Sequence, residues 1–252
     1  MMWLKNSPLF NYLRSGHDSI RYKFFYYPLD KLKLFFYTKI LNKSWVDFYS
    51  KRLDKFVIEN NYQIIKGYDD WGVKDLEFLK QNGLKPENFF LDFGCGFGRS
   101  GIELIPYLNK KNYYGLEISR ARLEVAKKIL NSKNIDQNNY TLVYNNSNLN
   151  ISKIFSENVK FDFIYLNSVF THTPYKDIDI ILNQFTEILS KNGKIIFSAL
   201  LKERNLKIKK TIKDYYYTYD ELDELAKKNG FNLEIMKDWP VHRTPMFKLK
   251  RV

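Results

Sequence analysis

The chain has 252 residues, a length that suits one globular domain with room for a cap, and its 44% hydrophobic residues are enough for a sizeable core. A single cysteine, Cys95, excludes an internal disulfide and a cysteine-ligated metal cluster, and it fits a reducing compartment. The net charge of +13 points to anionic partners: nucleic acid, a phosphorylated metabolite or an acidic membrane surface. The start, Met1-Met-Trp-Leu-Lys-Asn-Ser-Pro, lacks the apolar core of a signal peptide, and no window reaches a membrane span, so a cytoplasmic protein is expected.

Residues 1–60 hold eleven Lys and Arg against five Asp and Glu, so +6 of the charge lies here beside fifteen aromatic residues. Pro28–Leu41 has a proline at its start and Leu29, Leu32, Phe36 and Ile40 near helical spacing, which predicts a helix. Ser44-Trp-Val-Asp47 reads as a capping box, followed by a helix with Trp45, Phe48, Tyr49, Leu53, Phe56 and Val57 on one face. This N-terminal cap, residues 1–60, packs its aromatics on the domain, with a partial lid role over a substrate pocket. A surface that docks on a membrane or an RNA is the competing reading.

From residue 61 to 252 the pattern alternates short apolar runs with helical segments, which predicts an α/β domain. Gly67-Tyr-Asp-Asp-Trp-Gly72 reads as a loop before a helix over Val73–Asn82; Tyr68 and Trp71 either line a substrate site or anchor that loop. Phe89–Phe93 suits a buried strand, and Gly94, Gly96 and Gly98 follow at alternate positions before a helix opening at Ile102. A dinucleotide fingerprint has G-x-G-x-x-G spacing; here it is G-x-G-x-G, with Asp92 two residues ahead. An acid beside the turn suits the cationic end of S-adenosylmethionine and repels a pyrophosphate. Glu117, nineteen residues after Gly98, ends the apolar stretch Tyr113–Leu116, where its carboxylate can accept from both ribose hydroxyls. Cys95 fits a need for a small side chain in the turn better than a reactive thiol.

Further on, Ser119–Leu130 is a helix, Tyr140–Tyr144 a third strand, and Phe161–Leu166 a fourth strand that runs on to Asn167-Ser-Val-Phe-Thr-His172. A helix from Lys176 to Leu189, a helix-terminating Gly193 with a fifth strand to Leu200, and a helix over Tyr217–Gly230 follow. Phe231–Met236 and Met246–Val252 form a last hairpin. Leu201–Lys213 carries Lys202, Arg204, Lys207, Lys209, Lys210 and Lys213 against Glu203 alone. It either focuses an anionic substrate or is a solvated loop.

Asp92-Phe-Gly-Cys-Gly-Phe-Gly98 resembles motif I of the class I S-adenosylmethionine-dependent methyltransferases, and Glu117 resembles the acid of their motif II. Phe161–Pro174 resembles motif IV of the subfamily with Ser-Val-Phe-Thr-His after the strand. The resemblance covers Lys74 to the C-terminus and not the first sixty residues. It implies a Rossmann-like three-layer sandwich, with a mostly parallel seven-stranded sheet, an antiparallel last strand and an N-terminal helical cap. It also implies S-adenosyl-L-methionine as cofactor, held by Asp92, Gly94, Cys95, Gly96, Gly98, Glu117, Ile118, Asn146, Ser147, Asn167 and Ser168. The family's adenine-binding aspartate is replaced here by Asn145-Asn146-Ser147-Asn148, so the acceptor at Asn146 is neutral. Tyr165, Tyr68, Trp71, Lys207, Lys209 and Lys210 are candidates for substrate contact.

His172 is the candidate base for an alcohol acceptor, or else it caps a helix or bonds a backbone carbonyl. The leading reading is O-methylation of a small anionic metabolite such as a phosphorylated or nucleotide-linked sugar or a glycan precursor for surface polysaccharide. An RNA methyltransferase is the alternative, although the Asn-Pro-Pro-Tyr type motif is absent after strand four. A non-catalytic cofactor-binding module or an NAD enzyme is a third. No His and acid spacing suggests a metal site.

Overall fold

The computed structural model describes residues 27–59, 68–145, 150–155, 159–202, 211–236 and 244–252. The N-terminal part of the chain supplies α1 (Tyr27–Phe35), a π-helical turn (Phe36–Ile40) and α2 (Trp45–Glu59). The domain then runs α3 (Tyr68–Gln81), β1 (Phe90–Phe93), α4 (Gly101–Tyr107), β2 (Tyr113–Glu117), α5 (Arg120–Ser132) and β3 (Tyr140–Tyr144). It continues with β4 (Phe161–Leu166), α6 (Tyr175–Ile188), β5 (Leu189–Ser198), β6 (Leu200–Leu201), β7 (Tyr216–Tyr217), α7 (Tyr219–Lys228), β8 (Phe231–Met236) and β9 (Met246–Arg251).

Seven strands form one sheet in the order β3-β2-β1-β4-β5-β9-β8. β1 pairs in parallel with both β2 and β4, and β9 is antiparallel to both its neighbours. β1 is buried on both faces, which is why Phe90-Leu-Asp-Phe93 reads as a continuous run rather than an alternation. The two faces are filled by separate cores. Leu91, Phe93 and Leu166 join Ile181, Phe185 and Leu225 on one side; Phe90, Phe163 and Tyr165 join Leu79, Ile105 and Leu130 on the other. The molecule is therefore the expected Rossmann-like three-layer sandwich. Strand order reverses between β1 and β4, and a crevice opens beyond the C-terminal ends of these two strands.

Three elements depart from the sequence-based expectation. α3 begins at Tyr68 and absorbs the segment read as a loop. Gly72 is a packing point: a Cβ there would stand 2.7 Å from the Arg99 carbonyl oxygen, so the helix crosses the glycine turn at close range. Gly193 does not end a helix. α6 stops at Ile188 and Gly193 lies inside β5, where a Cβ would sit 2.8 Å from the Phe161 carbonyl oxygen, beside an irregularity in the β4–β5 register. On α2 the buried positions are Val46, Ser50, Leu53 and Val57, whereas Phe56 is exposed.

Candidate active site

The turn after β1 is pinned to the end of β2: the Gly94 and Cys95 amides donate to the Leu116 carbonyl at 2.7 and 3.1 Å. Gly94, Gly96 and Gly98 all take positive φ, between 58° and 79°, so each needs glycine for conformation alone. Gly94 also passes so close to Val169 that a Cβ would lie 2.6 Å from its Cγ2. Gly96 differs. Nothing comes nearer than 3.9 Å to a Cβ there, so the turn leaves an open cradle at this residue.

Two carboxylates flank the cradle. Asp92 is buried and accepts a hydrogen bond from the Tyr113 hydroxyl at 2.7 Å; burial pushes its pKa up to about 7 against that bond. Glu117 is also buried. Its Oε2 accepts from the Gly96 amide, and its Oε1 accepts from the Ile118 and Ser119 amides, each at 2.8 Å. Burial raises its pKa, opposed by the Arg122 guanidinium and by these three amides. Three of the carboxylate's four acceptor positions are thus filled by backbone, and one remains at Oε2.

A cavity of about 320 Å³ lies over the turn, at the small end of the range for ligand sites. Of the residues nominated from sequence, Asp92, Gly94, Cys95, Gly96, Glu117, Ile118, Asn167, Ser168 and His172 line it. Gly98, Trp71 and Tyr165 do not. Gly98 packs against Ala126, and Tyr165 is fully buried, its hydroxyl donating to Asp75 at 2.9 Å, so it acts inside the core rather than on a substrate. Asn146, Ser147, Lys207, Lys209, Lys210 and the side chain of Tyr68 lie outside the described residues.

Several lining or supporting residues were not nominated from sequence, although Asn145 stood in the stretch matched to the adenine-binding aspartate. Asn145, at the end of β3, is only 2% exposed, and neither its Oδ1 nor its Nδ2 has a partner among the described residues. A buried amide left bare costs roughly 1–3 kcal/mol, so this side chain is set for a ligand's donor and acceptor. Asp75 on α3 gathers Ser100 Oγ at 2.6 Å, Tyr165 Oη at 2.9 Å, and Arg99 and Asn167 at 3.3 Å. It ties the glycine turn to the end of β4. Arg99 and Arg122 also line the cavity.

α2 forms one wall. Trp45, Val46, Tyr49 and Leu53 of α2 line the cavity, and α2 is fastened at the end of β2. Ser50 Oγ donates to the Ile118 carbonyl at 2.6 Å, while Asp54 accepts from Ser119 Oγ and the Ala121 amide at the start of α5.

His172 stands on a 3-10 turn, Phe170–His172, beyond β4. The Tyr215 amide donates to the Thr171 carbonyl, which draws the segment ahead of β7 against this turn. His172 Nδ1 consequently lies 2.9 Å from the Lys213 carbonyl oxygen and 3.2 Å from Asp214 Oδ1. Burial alone would raise the Asp214 pKa, but the His172 contact and Lys213 hold it below the usual carboxylate value. Trp45 Nε1 donates to the His172 carbonyl at 3.1 Å, and the Tyr49 ring is 5.6 Å from the imidazole. The described residues hold no cluster of three or more metal-ligating side chains, and no helix among them is long and apolar enough to cross a membrane.

Residues 91–195 match the family model described as a methyltransferase domain. Among solved structures, magnesium protoporphyrin IX methyltransferase from Synechocystis PCC 6803, crystallised with S-adenosylmethionine, aligns at a TM-score of 0.63 and 15% identity over 83% of this chain and 98% of that one. An S-adenosylmethionine-dependent methyltransferase from Clostridium acetobutylicum aligns at 0.56 and 14% over 82% of this chain and 99% of the other. The CcbJ methyltransferase from Streptomyces caelestis aligns at 0.57 and 15% over 75% and 96%. The domain match spans the glycine turn, Glu117 and β4, and the sheet order and antiparallel β9 complete the frame: residues 91–195 match a methyltransferase domain, and the chain has the Rossmann-like fold of the S-adenosylmethionine-dependent methyltransferases.

Proposed function

We propose that this methyltransferase acts on a hydroxyl of a small anionic acceptor, of the class of phosphorylated or nucleotide-linked sugars and cell-surface glycan precursors, with His172 as the base. We read residues 1–60 as a cap that completes the site and residues 61–252 as the methyltransferase domain. The cofactor, when bound, supplies a methyl carbon already activated by its sulfonium, so the chain's own residues align the acceptor, exclude water and take one proton.

One observation carries the reading: the contact of His172 Nδ1 with the Lys213 carbonyl oxygen. A carbonyl can only accept, so Nδ1 bears the hydrogen and Nε2 keeps the lone pair of the neutral ring. A hydroxyl acceptor gives its proton to Nε2 as its oxygen attacks, and the Asp214 carboxylate stabilises the imidazolium that forms. Support for an anionic acceptor comes from the lysine-rich segment 202–213, whose last residue delivers its carbonyl to His172.

The cofactor fits the residues present. The open cradle at Gly96 admits it, Asp92 suits its ammonium, and Arg99 or Arg122 suits its carboxylate. Glu117 has one acceptor position left and takes one ribose hydroxyl rather than both. Asn145 offers its bare amide to the adenine, in place of Asn146. Gly94, Cys95, Ile118, Asn167 and Ser168 complete the contact surface, with Gly98 shaping the turn from behind.

Labelled methyl transfer onto pools of nucleotide sugars, tRNA and lipid extract tests the substrate class, and label in the nucleotide-sugar pool is expected. Label in tRNA alone would sink this reading in favour of an RNA methyltransferase, and no transfer at all despite cofactor binding would point to a non-catalytic module. On the true acceptor, His172→Ala should lower kcat about 10²–10⁴-fold and spare cofactor affinity, and it should lose an ionisation that the wild-type pH–rate profile shows. A variant that melts earlier, with a profile of unchanged shape, would make His172 a structural residue.

A further inference from the structure

α1 turns its apolar stripe away from the protein. Successive α-helical residues lie about 100° apart, so Leu29, Leu32 and Phe35 share one arc, and Asp30 and Leu34 lie on the opposite one; the π-helical turn continues the stripe with exposed Phe36 and Ile40. The second arc faces α2: Asp30 meets Arg52 at 3.3 Å, and the Tyr37 ring in the following turn packs on Phe48 with centroids 5.6 Å apart. The first arc faces water. Leu32 is 63% exposed and Phe36 52%, and Leu29, Phe35, Ile40 and Leu41 are exposed as well. A surface helix ordinarily buries such a stripe, and a contiguous exposed one marks an interaction site.

The charges beside it identify the partner. Lys31 and Lys33 border the arc on its two sides, Lys39 and Lys43 follow, and all four are exposed. Asp30, the one carboxylate between Tyr27 and Lys43, lies on the inner arc against Arg52. Leucine and phenylalanine bordered by ammonium groups complement the headgroup boundary of an anionic bilayer, where the apolar residues enter the acyl region and the lysines meet phosphate. A nucleic acid would engage the lysines but has no use for Leu29, Leu32 and Ile40. A second copy related by two-fold symmetry would bring these lysines near one another.

We propose that the outward face of Tyr27–Leu41 docks this protein on an anionic lipid surface. The docked element is coupled to the cavity wall through ring contacts, Tyr37 to Phe48 and Phe48 to Trp45, so docking sets the methyltransferase site beside the bilayer. The proposal is independent of the acceptor inferred above.

Flotation of the full-length protein with phosphatidylcholine vesicles, with and without phosphatidylglycerol, tests it. The protein should float with the anionic vesicles alone and bind less as salt is raised. Leu32→Glu combined with Phe36→Glu should lower the partition coefficient at least about tenfold. Lys31→Gln and Lys33→Gln should each lower it about fivefold. Ile180→Glu, at an exposed apolar position of α6, should change nothing, and unchanged S-adenosylmethionine affinity in every variant shows that the fold is kept. A wild-type protein that does not float, or that floats equally with neutral vesicles, overturns the proposal. So does a dimer that the Leu32 and Phe36 variant converts to monomer, which would assign the stripe to a second copy.

Discussion

Burial lifts the Asp92 carboxyl from the usual 3.8 to about 7, even though the Tyr113 hydroxyl pulls the other way. If the ionised form holds the cofactor's ammonium, affinity should rise with pH through about 7 and level off above it. Asp92→Asn should bind weakly with no such slope, as titration calorimetry across this range would report. The unliganded fold responds in the opposite sense. The native state keeps this proton to higher pH than the unfolded chain, so Asp92 makes stability fall as pH rises from about 4 to 7, and urea unfolding of Asp92→Asn should show a shallower fall. Glu117 carries a different penalty. Glu117→Ala would strand the Gly96, Ile118 and Ser119 amides, at roughly 1–3 kcal/mol each where water cannot reach them, so it should lose thermal stability as well as cofactor affinity. Glu117→Gln keeps one acceptor oxygen and should retain more of both. Loss of affinity in Glu117→Ala with no change in melting would mean that the three amide bonds are energetically unimportant.

The join between α2 and the methyltransferase domain rests largely on Asp54, which satisfies two donors at the start of α5. Asp54→Ala should cost about 1–2 kcal/mol, in the range of a lost helix cap. Hydrogen exchange should quicken in α2 and the first turn of α5 while α6 is unchanged; uniform quickening would show that α2 does not open separately. Elements of this kind also show what was legible in the residues. β1, β2 and β4 were plain, because strands buried on both faces read as nearly continuous apolar runs, broken only by Asp92 in β1 and Asp162 in β4 and ended by Glu117 in β2, and G-x-G-x-G with an acid nineteen residues on is a local pattern. The capping box at Ser44 was legible too, and Asp47 Oδ2 accepts from Ser44 Oγ at 2.9 Å. Gly72 and Gly193 misled, because a glycine needed for close approach looks in sequence like one that breaks a helix. Asp214 and Asp75 carried no local signal at all: they reach His172 and Asn167 only through the return of the chain ahead of β7 and the crossing of α3. The outward-facing stripe of α1 misled in its own way, since its spacing is that of a helix packing on a core.

At the scale of the whole molecule, a charge of +13 should draw an anionic acceptor from a distance. The KM for such an acceptor should climb with salt, because exposed attractions are screened within about 10 Å at roughly 0.1 M. Lys207→Gln, Lys209→Gln and Lys210→Gln together should flatten that climb and leave cofactor affinity alone; a salt-independent wild-type KM would return these lysines to a solvated loop. The single cysteine of the chain has a use of its own at this scale. Cys95 is buried in the glycine turn, its Sγ would lie 3.0 Å from a Cβ placed on Gly115, and burial raises its thiol well above the ordinary range. A protonated, enclosed sulfur cannot react with an alkylating reagent until the turn lifts from β2. The natural chain therefore carries its own gauge of that event: where the turn recloses faster than it is alkylated, the rate of thiol labelling reports the open fraction of the cradle, and the slowing produced by a bound ligand converts into the free energy with which that ligand holds the cradle shut.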